Sequence, residues 1–207
     1  MKSVPPTTNA PTFLRGLPLA LRAYEFARRA HGGQRRESDA ARFIVHPLEV
    51  AALLHNSGHS EAVVAAGVLH DTVEDTDLAI RDIEQAFGPQ ISRIVVAMTE
   101  DPTIEDFHDR KQALREQISG CGPDASAVYA ADKVAKVREF RSRATRGETV
   151  LDPENRPAHE HLEHYLHSLA TLEQITPDHP LVRQLRFELE VLHALPPRPD
   201  LLDTGRP

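Results

Sequence analysis

The run Ala62-Val63-Val64-Ala65-Ala66-Gly67-Val68-Leu69-His70-Asp71-Thr72-Val73-Glu74-Asp75-Thr76 decides how this chain reads. A segment apolar on every side belongs in a core, and it draws the polar residues that follow toward the core with it. His70 and Asp71 offer a neutral nitrogen and an anionic oxygen to one divalent cation. Glu74 and Asp75 come four residues later. If the run stays helical, His70 stacks near Glu74 and Asp71 near Asp75, so two ligand groups and two acid–base groups share one face. Burying such a patch is costly unless a cation or hydrogen bonds compensate it.

Helical periodicity extends on both sides. Leu17, Leu21, Tyr24 and Ala27 mark a 3.6-residue stripe from Leu17 to Ala30, with Pro18 suited to the first turn and Gly32-Gly33 to the stop. The charged loop Gln34-Arg35-Arg36-Glu37-Ser38-Asp39 and the apolar Phe43-Ile44-Val45 follow. Pro47 then starts a helix to about Asn56 and leaves His46 at its entrance. Ser60 is a candidate N-cap for the helix bearing His70-Asp71. Further helices fit from Thr76-Asp77 to Phe87, from Pro89 to Met98, over 104–118, from Ala125 to Arg143, over 158–175 and over 179–194. No stretch sustains apolar–polar alternation. The expected fold is all-α, one bundle of about eight to ten helices over residues 13–195. Tails at 1–12 and at the Pro-rich 196–207 flank it.

Of 207 residues, 40% are hydrophobic but only 5% are aromatic and none is Trp, so Leu, Val, Ile and Ala must fill the core. A net charge of −7 argues against nucleic acid or an anionic membrane as main partner, because either wants a basic footprint. The single cysteine, Cys121, permits no internal disulfide and fits a reducing, cytoplasmic setting. No apolar run approaches the roughly 20 residues of a membrane helix, and the start lacks a signal-peptide core. Composition leaves a homodimer open.

A metal site needs ligands from several segments. Asp132, in Ala130-Ala131-Asp132-Lys133-Val134, is an acid where small residues imply a core face. With His46, His70 and Asp71 it makes a mixed nitrogen–oxygen set suited to Mn²⁺, Fe²⁺ or Zn²⁺ rather than Ca²⁺. Each residue also has an ordinary reading. His46 fits a helix cap, Asp132 a partner of Lys133 or Arg138, and Glu74-Asp75 a solvated helix end. His31 reads as a helix-end residue favoured by the dipole. His159, His161, His164 and His167 read as a polar helix face.

The order His46-Pro47, His70-Asp71 with Glu74-Asp75-Thr76, Phe87-Gly88 and Ala131-Asp132-Lys133 resembles the RelA/SpoT-type HD-domain hydrolases, and among them the small alarmone hydrolases. Ala30-His31-Gly32-Gly33-Gln34 and His46-Pro47-Leu48-Glu49-Val50-Ala51 match in the same order, and the likeness spans about residues 20–140. It implies a small-molecule nucleotide substrate and Mn²⁺-dependent removal of the 3′-pyrophosphate from (p)ppGpp. It implies His46, His70, Asp71 and Asp132 as metal ligands and places Glu74 and Asp75 near the nucleophilic water. Arg36, Ser38 and Lys111 fall where that family contacts nucleotide, and Lys133 and Lys136 are further cation candidates. Three positions depart from the pattern: Glu37 and Tyr129 replace basic residues, and Lys136 replaces an asparagine. The departures leave open another nucleotide such as NADPH, or a catalytically weak nucleotide-binding protein.

Overall fold

A computed structural model describes residues 10–36, 39–146 and 158–194. Residues 1–9 of the expected N-terminal tail, Glu37, Ser38 and the C-terminal tail lie outside the described residues. Within them, a 3₁₀ turn at Thr12–Gly16 precedes nine α-helices, and no strand forms beyond one antiparallel bridge between Arg35 and Arg42. The helices are α1 (Pro18–Ala30), α2 (Val45–Asn56), α3 (Glu61–Leu69), α4 (Ile80–Phe87), α5 (Pro89–Met98), α6 (Phe107–Gly120), α7 (Pro123–Arg146), α8 (Ala158–Ile175) and α9 (Pro180–His193). The all-α expectation holds. No helix among the described residues is long and apolar enough to cross a membrane.

α3 is the centre of the bundle. Every residue from Val63 to Leu69 is buried, with α1 and α2 against one side and α5 and α7 against the others. α7 is buried without a break from Ala125 to Ala135, and α8 and α9 pack on it. Small residues let these helices approach closely. A Cβ on Gly67 would lie 2.5 Å from Leu54 Cδ1 and 3.7 Å from the Ala51 Cα, so α2 passes α3 closely enough that any side chain there would displace Leu54.

The run after Leu69 is not a continuing helix. It becomes a series of turns, because threonine hydroxyls occupy carbonyls that a helix would use. Thr72 donates to the Leu69 carbonyl through both its amide at 3.0 Å and its hydroxyl at 2.6 Å, and Thr76 Oγ1 donates to the Thr72 carbonyl at 2.6 Å. One helix-like bond survives, from Asp75 N to the Asp71 carbonyl at 3.0 Å. α4 accordingly starts at Ile80 rather than near Thr76, where Asp82 Oδ2 accepts from Ala79 N at 2.9 Å. Ser60 precedes α3 with extended backbone, but its side chain makes no cap bond. Glu61 instead reaches across and accepts from Leu19 N and Ala20 N, so the start of α3 caps the start of α1.

Candidate metal centre and its surroundings

His46 projects from the first turn of α2, His70 and Asp71 stand just past the end of α3, and Asp132 lies midway along α7. All four are buried. His46 Nε2 is 3.1 Å from Asp132 Oδ1 and 3.5 Å from Asp71 Oδ2. His70 Nε2 is 3.0 Å from Asp71 Oδ1 and 3.6 Å from Asp132 Oδ1. Ligand atoms of His46, His70 and Asp132 all fall within 4.8 Å of one another, and the Asp71 carboxylate stands beside both imidazoles.

His70 Nδ1 lies 2.8 Å from the Gly67 carbonyl, so that nitrogen carries a proton and Nε2 turns inward. Its contacts to the two carboxylates do not have hydrogen-bond geometry, and the buried Nε2 has no hydrogen-bond partner. A lone pair opposite two carboxylates is repulsive, and a cation between them resolves it. The donor set therefore fits a divalent metal. Without one, a proton takes that role. Burial pushes His70 down, but Asp71 and the Asp132 carboxylate outweigh it and raise the imidazole to about 10. Burial also opposes ionisation of Asp71 and Asp132. His70 nonetheless holds Asp71 below the usual carboxylate range, and Lys133 and Lys136 do the same for Asp132. Metal binding must displace the His70 proton.

Two lysines complete the buried charge balance. Lys133 Nζ is 2.8 Å from Asp132 Oδ2 and sits 4.6 Å from the centroid of the Tyr129 ring. Lys136 Nζ is 3.1 Å from Asp132 Oδ1, while its side chain stays 39% exposed. Burial disfavours charge on both lysines, but Asp132 overrides it and raises both pKa values.

Glu74 and Asp75 line the mouth of this site. Both residues are exposed, yet enough protein crowds their carboxyls to weaken hydration, and the Asp71 charge adds to that. Both pKa values rise, Asp75 to about 6. Glu74 Oε1 accepts from the backbone N–H of Glu100. The Glu100 carboxylate in turn holds Arg110, at 2.9 Å, and Lys111. Arg110 also donates to the Ile104 and Glu105 carbonyls at 2.9 and 3.0 Å, so it braces the loop before α6. Burial lowers the Lys111 pKa, the Glu100 carboxylate opposes that shift, and the charges of Lys133 and Lys136 add to it.

Arg36 is not an open cation. It pairs with Asp39 in its own loop and, at 3.3 Å, with Glu139 on α7, and so ties the loop to the bundle. Ser38 lies outside the described residues. Among the α8 histidines, His159 and His167 are exposed as a polar face requires, but His164 turns into the core. Arg115 Nη1 lies 3.2 Å from its Nδ1. Burial first, and then Lys133, Lys111 and Arg115, push its pKa well down. Glu100 and Arg115 were not singled out from sequence, since nothing in their local pattern points toward the centre.

An all-helical bundle that brings a histidine, a His-Asp pair and a remote aspartate to one buried point has the arrangement that defines the HD domains. The chain belongs to that family: residues 23–150 match the HD domain. It is 40% identical over 123 residues to the human guanosine-3′,5′-bis(diphosphate) 3′-pyrophosphohydrolase MESH1, covering 58% of this chain and 68% of the human protein. It is 34% identical over 107 residues to the guanosine-3′,5′-bis(diphosphate) 3′-pyrophosphohydrolase of Aquifex aeolicus, covering 52% of this chain and 15% of that protein. The solved structure of a metazoan SpoT ortholog that hydrolyses ppGpp shares the fold, with a TM-score of 0.72 at 22% identity over 89% of this chain and 98% of that one.

Proposed function

We propose that this chain is a (p)ppGpp 3′-pyrophosphohydrolase that uses Mn²⁺ and releases pyrophosphate with GDP or GTP. The carrying observation is the convergence of His46, His70 and Asp132 on one buried point, with Asp71 beside them. Carboxyls and ammoniums gathered around that point suit phosphoryl chemistry. The likeness to the human and Aquifex hydrolases supports the choice of substrate.

When bound at these residues, Mn²⁺ would acidify a water and polarise a phosphoryl oxygen. Asp75, with its pKa raised to about 6, is ionised at neutral pH yet basic enough to take the water's proton. Glu74, held by the Glu100 amide, orients the same water. Oxygen attacks the phosphorus nearest the ribose, and the bond from that phosphorus to the ribose 3′ oxygen breaks. Lys136, Lys133 and Lys111 balance charge on the non-bridging oxygens. Arg36 holds the loop over the nucleotide side, with Ser38 beside it in sequence.

The test is pyrophosphate release from ppGpp. Turnover should require Mn²⁺, stop with chelator, return when Mn²⁺ is restored, and vanish in Asp71→Ala. Undiminished turnover by Asp71→Ala would sink the assignment. A second reading, the same centre acting on another nucleotide such as NADPH, is favoured by Lys136, whose ammonium adds a cation beside Asp132. A panel of nucleotides under the same conditions separates the two.

A further inference from the structure

We infer that His31 and Gln34 form a clamp that positions Asp75, and with it the acid flank of the site. The role assigned to Asp75 rests on the hydrolase reading above; the clamp itself is a matter of geometry. His31 closes α1, with its backbone N–H bonded to the Ala27 carbonyl at 2.9 Å. Its side chain is buried, and its ring packs 4.7 Å from that of Phe43, which in turn faces His46.

Gln34 links this ring to the site. Its side-chain nitrogen donates to the Asp75 carbonyl at 2.6 Å, across 41 residues of sequence. A carbonyl can only accept, so the amide orientation is settled: Nε2 faces Asp75 and Oε1 faces His31. Oε1 can only accept, so His31 Nδ1, 2.7 Å away, must be the donor. Each group fixes the next, from a buried ring to the backbone of an acid at the cleft.

The clamp acts on a segment without regular helix. α3 ends at Leu69, and the turns that follow are held by the Thr72 and Thr76 hydroxyls and by two backbone bonds, one of them from Asp75 N to the Asp71 carbonyl. Asp75 itself is exposed. Gln34 gives its carbonyl a partner anchored in another element. A proton acceptor misplaced by about 1 Å costs on the order of 10²-fold in rate, so this tether bears on turnover rather than on folding. Gln34 and His31 are positioning residues, since neither is placed on substrate.

The decisive variant is Gln34→Glu, which keeps the shape but sets a carboxylate oxygen against the Asp75 carbonyl. With Mn²⁺ and ppGpp, kcat should fall about 10- to 100-fold, while KM and Mn²⁺ affinity stay within about threefold. His31→Leu should fall likewise. His31→Asn, whose amide nitrogen replaces the Nδ1 donor, should recover most of kcat. Amide hydrogen exchange over residues 70–77 should quicken in Gln34→Glu and His31→Leu and be restored in His31→Asn. Unchanged kcat with unchanged exchange would overturn the clamp, as would an equal loss of Mn²⁺ affinity. If the wild type releases no pyrophosphate from ppGpp, the hydrolase reading falls instead. Exchange over 70–77 then still decides the clamp: faster exchange in the variants supports it, and unchanged exchange overturns it.

Discussion

Two groups of histidines in this molecule met opposite fates. His46 and His70 come from different elements and face two carboxylates, Asp71 and Asp132, at 3.0 to 3.6 Å. The histidines of α8 come from one helix; His161 packs its ring on Phe107 and Tyr165, and the buried His164 faces cations instead. In the first group, Asp71 and Asp132 push His70 toward holding positive charge, and its pKa rises to about 10. In the second, burial and then Lys133, Lys111 and Arg115 push His164 the other way. Proximity of histidines does not make a metal site. The sign of the charge brought against them does, and a buried imidazole responds to its partners more than to its own helix.

The largest expected break in this contrast is Asp132→Ala. Removing a carboxylate from the centre should cost about 10³-fold in turnover, with loss of bound Mn²⁺ and a retained helical circular-dichroism spectrum. His164→Ala should leave Mn²⁺ stoichiometry unchanged, and loss of metal there would erase the distinction.

Next in size is pH. His70, raised to about 10, must lose its proton to bind metal, so the Mn²⁺ dissociation constant should fall about tenfold per pH unit between pH 6.5 and 8.5. Calorimetry at several pH values reads the slope, and a flat line would contradict the proton–metal exchange. The acid limb of kcat should separately follow Asp75, with activity rising through a pKa of about 6.

Lys136→Met comes third. Losing the ammonium at 3.1 Å from Asp132 should raise KM for ppGpp about tenfold without weakening Mn²⁺ binding, because the removed charge repels the ion. Gly67→Ala sharpens the comparison from the packing side. Its methyl would press on Leu54 and cost about 1–3 kcal/mol, measured as a lower midpoint in urea. The smallest effect is expected from His167→Ala on the exposed face of α8, within about 0.5 kcal/mol by the same measurement.

Much of this was legible early. Pro18, Pro47, Pro89 and the glycines that close helices bound most elements to within a few residues of the observed ends. The His-Asp pair after a wholly apolar helix and the acid inside the alanines of α7 pointed to the centre through their joint order with His46. Harder features depended on contacts across the chain. Arg36 falls where the family contacts nucleotide, and only the fold sets Glu139 of α7 opposite it. His31 read as a helix-end residue, and only Gln34 and the Asp75 carbonyl give it a further task. His164 read as one of four equivalent polar residues because its local spacing does not show which side α7 covers. The turns after Leu69 stand where a continuing helix was one reading, with the Thr72 and Thr76 hydroxyls bonded to the Leu69 and Thr72 carbonyls.

By itself the sequence determined the helical class and the approximate helix ends, since these follow from periodicity and helix-stop chemistry, and it nominated His46, His70, Asp71 and Asp132 as candidate ligands through their order and resemblance. Only the tertiary structure decided which charges face one another: that Asp132 closes the site, that Glu100 holds Lys111, and that Gln34 reaches Asp75. Electrostatic and hydrogen-bond partners act over 3 to 4 Å in space, and residues 41 to 103 positions apart meet at that distance only once helices have packed.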